Sequence, residues 1–433
     1  MSLPAGIDCL GAPTTILTEP RGSFAGLRAM RRFAALLLVV SVTLLACETS
    51  SPRDLESAAP SATVSAEPWS EYAVGWTRFP APPEQRSGNT WVWAGSELLL
   101  AGGCDPELIE DRCRKTRATY AFDPGIGSWR SVQPSLSPMA DADAVWTGGE
   151  AIFLETVGGA GPIVGQAYEP SSDRWRSIEQ APIGRVYGAV LVWTGDELIV
   201  WGGGDRGDHR TSQGAAYDPT SDSWRRIADA PIGLNLASGV WTGREMIVFG
   251  SLLSHANRAS STTSVGEVYD PTSNTWRELP ASALSPQATS AAMVDDRMVA
   301  WDYEVHSQTY NPTTDHWSDP QRMPFGGSEC YPDSAVVAGL LFAWFCGKAA
   351  LLDEAASTWQ RVTGGPLDET IYSKAYKSNV HVWRFADLVA AGPVVVMPME
   401  GITLNNRGVA CYGCAGSPTT FWVYRPADET VPA

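Results

Sequence analysis

The stretch Tyr217-Asp218-Pro219-Thr220-Ser221-Asp222-Ser223-Trp224 is the clearest copy of a motif that recurs along this chain. An aromatic residue opens the motif, a turn-prone segment follows, and a Trp stands seven positions after the aromatic residue. Proline presets φ and aspartate hydrogen-bonds nearby backbone, so the segment predicts a tight turn between two strands. Further copies begin and end at Phe122 and Trp129, Tyr168 and Trp175, Tyr269 and Trp276, Tyr310 and Trp317 and, in a worn form, Leu352 and Trp359.

A seventh copy is divided between the two ends of the chain. Tyr424-Arg425-Pro426 supplies its first half, and Trp76-Thr77-Arg78-Phe79 supplies its second half. A repeat divided in this way is what a closed ring of repeats requires, because head and tail then complete one sheet and leave no open edge.

Each repeat has the pattern of a four-stranded antiparallel meander. In residues 186–227 the predicted strands are 186–194, 197–201, 213–217 and 223–227, with Gly195-Asp196 as a hairpin turn. The motif tryptophans recur at intervals of about 40 to 50 residues, which is typical of propeller blades. We therefore predict an all-β, seven-bladed β-propeller of four-stranded antiparallel blades over residues 69–426, closed by an N-terminal strand and C-terminal strands, with the motif tryptophans buried between blades.

The repeat resembles that of Kelch-type propellers, the superfamily of the galactose oxidase central domain. A double glycine follows the second strand, as at Gly102-Gly103 and Gly202-Gly203, and a Tyr and then a Trp seven positions later come after it. The double glycine is missing from blades five to seven. Two enzyme classes with this fold follow as alternatives: a metal-free carbohydrate-active enzyme similar to sialic-acid mutarotases, and a copper oxidase similar to galactose oxidase.

The N-terminus has the pattern of an export signal. Arg28, Arg31 and Arg32 precede a short apolar run that ends Leu44-Leu45-Ala46-Cys47, which resembles a bacterial lipobox. We predict a signal peptide over residues 1–46, with Met30 as an alternative start, and lipidation of Cys47. Residues 47–68 then form a disordered linker, residues 427–433 a tail, and the protein is held at the cell envelope.

Six further cysteines in an exported chain favour disulfides. We predict three pairs: Cys104 with Cys113 around a loop, Cys330 with Cys346 across a hairpin, and Cys411 with Cys414 before the last strand.

Composition excludes some functions and leaves others open. The formal net charge is -17, which argues against nucleic-acid binding, since that affinity comes mainly from Lys and Arg. The five histidines are scattered without metal-ligand spacing, so no metal, cofactor or catalytic residue is predicted. The expected role is a monomeric binding or scaffolding module for a protein or glycan, with contact to the membrane through the lipid anchor alone.

The predicted ligand site lies where loops from all blades converge at the channel. The polar residues on the connections between successive blades are its candidates, with Asp141 and Asp143 as a paired carboxylate. The full set is Arg86, Asp141, Asp143, Arg185, Asn235, Gln287, Glu329, Asp368, Glu369 and Lys374.

Overall fold

The computed structural model describes residues 69–427, except 85, 105–112, 158–160, 205–208, 253–263, 286–289, 303, 326–332, 346, 355–356, 369, 374–376, 382, 387, 405–409 and 413–418. Within these residues the chain forms β-strands and one short 3-10 helix, Gly365–Asp368, and no α-helix. The strands make seven four-stranded antiparallel blades, so the predicted seven-bladed propeller is confirmed.

Blade 3 shows the plan that the other blades follow. Its strands are Val190–Trp193, Leu198–Trp201, Gly214–Asp218 and Ser223–Arg226, each paired antiparallel with the next. They match the four predicted strands, with ends that differ by a few residues.

The remaining complete blades have the following strands in chain order. Blade 1 consists of Asn89–Trp93, Leu98–Gly102, Thr119–Asp123 and Ser128–Ser131. Blade 2 consists of Asp143–Trp146, Ala151–Glu155, Val164–Glu169 and Arg174–Ser177. Blade 4 consists of Asn235–Trp241, Met246–Ser251, Val265–Asp270 and Thr275–Glu278. Blade 5 consists of Ser290–Val294, Arg297–Trp301, His306–Asn311 and a two-part outer strand, His316–Trp317 and Gln321–Arg322. Blade 6 consists of Asp333–Val337, Leu340–Phe345, Lys348–Asp353 and Thr358–Val362.

Blade 7 joins the two ends of the chain, as predicted. Gly75–Arg78 is its outer strand and pairs antiparallel with Thr419–Arg425, placing Trp76 opposite Tyr424. The second strand is Val394–Leu404, and the inner edge is formed by Trp383–Ala386 and Val389–Ala391. Ala410–Tyr412 pairs with the far end of Val394–Leu404.

The first strands of the blades surround the channel. Each contacts the first strand of the blade before it and of the blade after it, and blade 7 contacts blade 1. The ring is therefore closed at the channel as well as through the outer strands of blade 7.

Side chains from all four strands line up in one row across each blade. In blade 3 the row is Trp193, Leu198, Tyr217 and Trp224, by strand register. The rings of Tyr217 and Trp224 lie 5.0 Å apart between centroids. Tyr217 is fully buried, whereas Trp224 is half-buried, and the other outer-strand tryptophans are also half-buried. The predicted burial of the motif tryptophans is therefore partial, because an outer strand has a neighbouring blade but no further strand beside it.

Trp224 also ties blade 3 to blade 2. Its indole Nε1 donates to the carbonyl of Glu179, 2.7 Å away, on the exit from blade 2. Asp222, which ends the turn at φ 48°, accepts from the Tyr217 hydroxyl at 2.6 Å and from the Glu179 amide at 3.1 Å. The motif thus builds the turn, the aromatic row and the contact to the preceding blade together.

Arg176 adds a second link between the same blades, because it binds one group in blade 2 and one in blade 3. Arg176 on the outer strand of blade 2 donates from Nε to Glu150 at 2.9 Å and from Nη1 to the Tyr217 hydroxyl at 2.9 Å. Equivalent Glu–Arg pairs lie within blades 1, 3 and 4: Glu97 with Arg130, Glu197 with Arg225, and Glu245 with Arg277.

The double glycine has the predicted role of close backbone approach. A Cβ at Gly203 would lie 2.8 Å from the carbonyl oxygen of Tyr187, and Gly203 has φ +83°. A side chain at this position would collide with the connection that enters blade 3.

One hairpin lies outside the blade pattern. Thr370–Ser373 pairs with Ser378–His381 between blades 6 and 7. No repeat of the motif marks this segment, and the sequence did not predict it.

Candidate ligand-binding site at the loop face

The two ends of the channel differ in the kind of loops around them. Because strand direction alternates within a blade, the connections from second to third strand and from one blade to the next lie on the same side, which we call the loop face. The short turns within the first and last hairpins of each blade lie on the opposite side, the turn face. The predicted ligand-binding residues belong to the loop face.

Arg86 lies on the entry to blade 1 and is largely enclosed. Its Nη1 donates to the Thr116 hydroxyl at 3.1 Å, and the guanidinium pairs with Glu84. Thr116 follows Lys115, which forms a β-bridge with Cys104. Cys104 and Cys113 form a disulfide, as predicted, so a covalently closed loop ends two residues before Lys115.

Glu155, at the end of the second strand of blade 2, joins two cations. Its Oε2 lies 3.2 Å from Lys115 Nζ and 3.7 Å from Arg185 Nη1. Arg185 also donates from Nε to the Pro162 carbonyl at 3.1 Å. The second-to-third-strand loop of blade 1 and the entry to blade 3 therefore each bring a cation to the carboxylate of blade 2.

Asp143 begins the first strand of blade 2 and accepts a hydrogen bond from the Thr156 hydroxyl, next to Glu155. Its side chain keeps solvent contact but lies among the surrounding loops, and this partial desolvation raises the pKa of its carboxyl group against the lowering effect of Thr156. Asp141 turns elsewhere: its amide donates to the Gly88 carbonyl, and its carboxylate lies against Gly88. The two aspartates contact different groups and do not share one.

The structure therefore gathers four predicted residues, Arg86, Asp141, Asp143 and Arg185, on the loop face of blades 1 to 3. Asn235 lies in blade 4, opposite Ser251, and Asp368 is exposed on the 3-10 helix after blade 6. The other predicted residues lie outside the described part of the chain: Gln287, Glu329, Glu369, Lys374, Cys47, Cys330, Cys346 and Cys414. Cys411 lies in the strand Ala410–Tyr412.

Sequence reasoning missed Lys115, Glu155 and Thr156. It considered the connections between blades, whereas these three residues end second strands or belong to loops between second and third strands. No local pattern marks them, because their partners come from other blades.

We call Arg86, Lys115, Asp143, Glu155 and Arg185 the loop-face rim. The rim combines cationic donors with a carboxyl group of raised pKa within a short arc. Such a set can hydrogen-bond hydroxyl, amide and carboxylate groups, which suits a polar ligand.

No model of a known protein family matches the sequence. In the described ranges, no three His, Cys, Asp or Glu side chains are grouped so that they could hold a metal ion. No helix in the described part of the chain has the length and apolar character needed to cross a membrane.

Proposed function

We propose that the protein is an exported, lipid-anchored, Kelch-type propeller that binds a protein or glycan at the cell envelope. The convergence of Lys115 and Arg185 on Glu155 supports this role most strongly, because it assembles charged groups from three blades on one face. A propeller in general suits binding or scaffolding, since its rigid ring presents many loops together.

The proposed ligand contacts the loop-face rim. Lys115 is partly exposed, at 39% of its side-chain area, so its ammonium can reach a ligand without moving the ring. A ligand carboxylate or sugar hydroxyl would compete with Glu155 for the two cations.

A paired experiment tests the binding role. The propeller, residues 69–426, is screened on a glycan array and is used to capture proteins from envelope extracts. The affinity of every hit is then measured again with Lys115→Ala and Arg185→Ala. We expect each substitution to weaken binding at least threefold. Arg174→Ala, an exposed change on the outer strand of blade 2, is the control. Binding that is insensitive to both rim substitutions would reject the rim as the site.

The anchor has its own test. Intact mass measurement of the native protein should find a lipidated N-terminal Cys47, and Cys47→Ala should leave the membrane fraction. An unlipidated Cys47 in the native protein would contradict the lipobox.

One observation supports the alternative that the protein is a metal-free carbohydrate-active enzyme. Proton transfer to a sugar ring requires a side chain that can exchange a proton, and Asp143, hydrogen-bonded by Thr156 and with its pKa raised by partial desolvation, is the candidate at the rim. Anomer exchange of reducing sugars, followed by NMR with the native protein and with Asp143→Asn, tests it. An unchanged exchange rate in the presence of native protein would exclude this activity for the sugars examined.

A further inference from the structure

A row of tryptophans stands at the opposite end of the channel from the loop-face rim. In blades 1 to 4 the first strand ends in a tryptophan just before the hairpin turn, and each tryptophan occupies the same register. We call these residues the inner tryptophans: Trp93, Trp146, Trp193 and Trp241. Met293, Val336 and Ala390 hold the matching positions in blades 5 to 7.

The inner tryptophans lie at the turn face. The ring of Trp146 covers the hairpin turn of blade 1, where a Cβ on Gly95 would meet it at 3.4 Å. Trp146, Trp193 and Trp241 each pack partly on the core of the preceding blade and remain half-buried. One side of each ring is therefore supported by protein, while part of the ring meets solvent.

Their indole N–H groups differ from those of the outer tryptophans. Trp175, Trp224 and Trp276 each donate to a carbonyl of the preceding blade, at 2.7 to 2.8 Å. In the described part of the chain, the indole nitrogens of Trp146 and Trp193 donate to no protein group, and neither is enclosed. The same holds for Trp241. A buried indole N–H normally finds a partner, so these groups point to solvent and are open to a ligand.

The turns of the turn face are acidic, both those beside the inner tryptophans and those next to the outer strands. The described turns within the first and last hairpins of blades 1 to 6 contain one cationic residue, Arg244, against many carboxylates. These are Glu97, Glu150, Asp173, Asp196, Glu197, Asp222, Glu245, Asp295, Asp296, Asp315 and Glu354. Arginines of the outer strands pair with four of the glutamates and with Asp222 and Asp315, and Arg297 pairs with Asp296. Carboxylates remain in excess on this face.

We propose that the turn-face mouth of the channel binds an organic cation, an alkylammonium or guanidinium group. Aromatic faces attract cations through the ring quadrupole, most strongly with tryptophan, and the acidic turns raise the local concentration of cations. A free polyamine and the Lys or Arg side chain of a basic peptide both carry this chemistry. This site is separate from the loop-face rim and does not depend on the proposed function.

The test uses spermidine and a Lys-rich peptide, with a Glu-rich peptide of equal length for comparison. Affinity is measured by calorimetry and by tryptophan fluorescence. The double variant Trp193→Met/Trp241→Met introduces the residue that blade 5 has in the same register, and its melting temperature is recorded. We expect saturable binding of at least one cationic probe, weakened about three- to tenfold in the variant. Arg322→Ala, an exposed change on the outer strand of blade 5 outside the loop-face rim, should bind like the native protein.

Binding of either cationic probe supports the proposal. Binding of spermidine alone would identify the ligand as a small cation, and binding of the peptide alone would identify it as a protein segment. If the variant does not fold, quenching of the native protein by acrylamide decides, because a bound cation should shield the inner tryptophans. Three outcomes would overturn the proposal. The first is no saturable cation binding to the native protein, and the second is equal affinity for the Glu-rich peptide. The third is cation binding that is equally strong in the tryptophan variant and does not reduce acrylamide quenching of the native protein.

Discussion

The substitution Glu267→Gln tests how burial of Glu267 at the packing of blade 4 affects the free energy of unfolding. This residue lies two positions before Tyr269 in the third strand of blade 4 and is 3% exposed. It accepts from the Ile232 amide, while its Oε2 is enclosed with no hydrogen-bond partner. Burial raises the pKa of its carboxyl group to about 7, since the charged form is poorly solvated there.

Two other blades show what glutamine does at this position. Gln166 accepts from the Leu136 amide at 2.8 Å and donates to the Ser137 carbonyl at 3.1 Å. Gln308 likewise accepts from Ala283 at 2.7 Å and donates to Ser318 at 2.8 Å. A glutamine at 267 therefore has two precedents in this protein for satisfying both ends of its amide.

The sign of the pH effect follows from the raised pKa. The folded protein holds the Glu267 proton up to about pH 7, whereas the unfolded chain releases it near 4.5. The stability gained from this proton is complete below pH 4.5 and is lost as pH rises through 7. At about 1.4 kcal/mol per pH unit, the loss reaches about 3 kcal/mol as an upper bound. Glu267→Gln should remove this dependence and stabilise the protein by about 1–3 kcal/mol at pH 8.5.

Urea unfolding of both proteins between pH 5 and pH 8.5 measures the difference directly. The curves of unfolding free energy should lie closest at pH 5, separate mainly between pH 5 and pH 7, and run parallel above pH 7 with the variant more stable. Glu179→Gln, on an exposed side chain between blades 2 and 3, is the control and should have a small effect. Parallel curves at every pH, or a variant that is less stable at pH 8.5, would refute the account of this site.

Three further substitutions have expected effects on the unfolding free energy in urea. Trp224→Ala should lower the unfolding free energy by about 2–4 kcal/mol, because it removes the contact with Tyr217 and the link to blade 2. The loss is smaller than for a fully buried ring, since Trp224 is half-buried; an unchanged urea midpoint would contradict the blade assignment. Arg176→Ala should cost about 1 kcal/mol, whereas the exposed Arg174→Ala should stay within about 0.5 kcal/mol; equal effects would show that the link between blades 2 and 3 contributes nothing. Removing the disulfide with Cys104→Ser and Cys113→Ser together should lower the unfolding free energy by about 2–3 kcal/mol, as expected for a sequence separation of 9. A loss below about 1 kcal/mol would mean that other contacts hold the loop.

The fold was predictable because the residues that determine each blade lie close together in the sequence. The aromatic residue, the turn and the tryptophan stand at fixed distances in sequence, and turn residues such as Asp222 adopt the positive φ that their type tolerates. The split motif also predicted the pairing of Trp76 with Tyr424. These features need no knowledge of distant contacts.

The candidate site was predicted only in part, because its geometry depends on contacts between blades. Arg185 was identified from its place on a connection, but its partner Glu155 ends a strand in the preceding blade. Similarly, nothing near Glu267 in the sequence distinguishes it from an exposed glutamate. Burial there follows from the packing of blade 4 against the exit from blade 3.

Closure of the ring by the two ends of the chain is most directly tested by a disulfide engineered with Thr77→Cys and Val423→Cys. These residues are opposite each other in the outer pair of blade 7, where antiparallel partners lie within the Cα separation that a disulfide spans. Peptide mapping without reductant should find a crosslink between positions 77 and 423, and the mismatched pair Thr77→Cys with Thr420→Cys should give none. A folded Thr77→Cys/Val423→Cys protein whose two new thiols stay free under oxidising conditions would contradict the closed propeller.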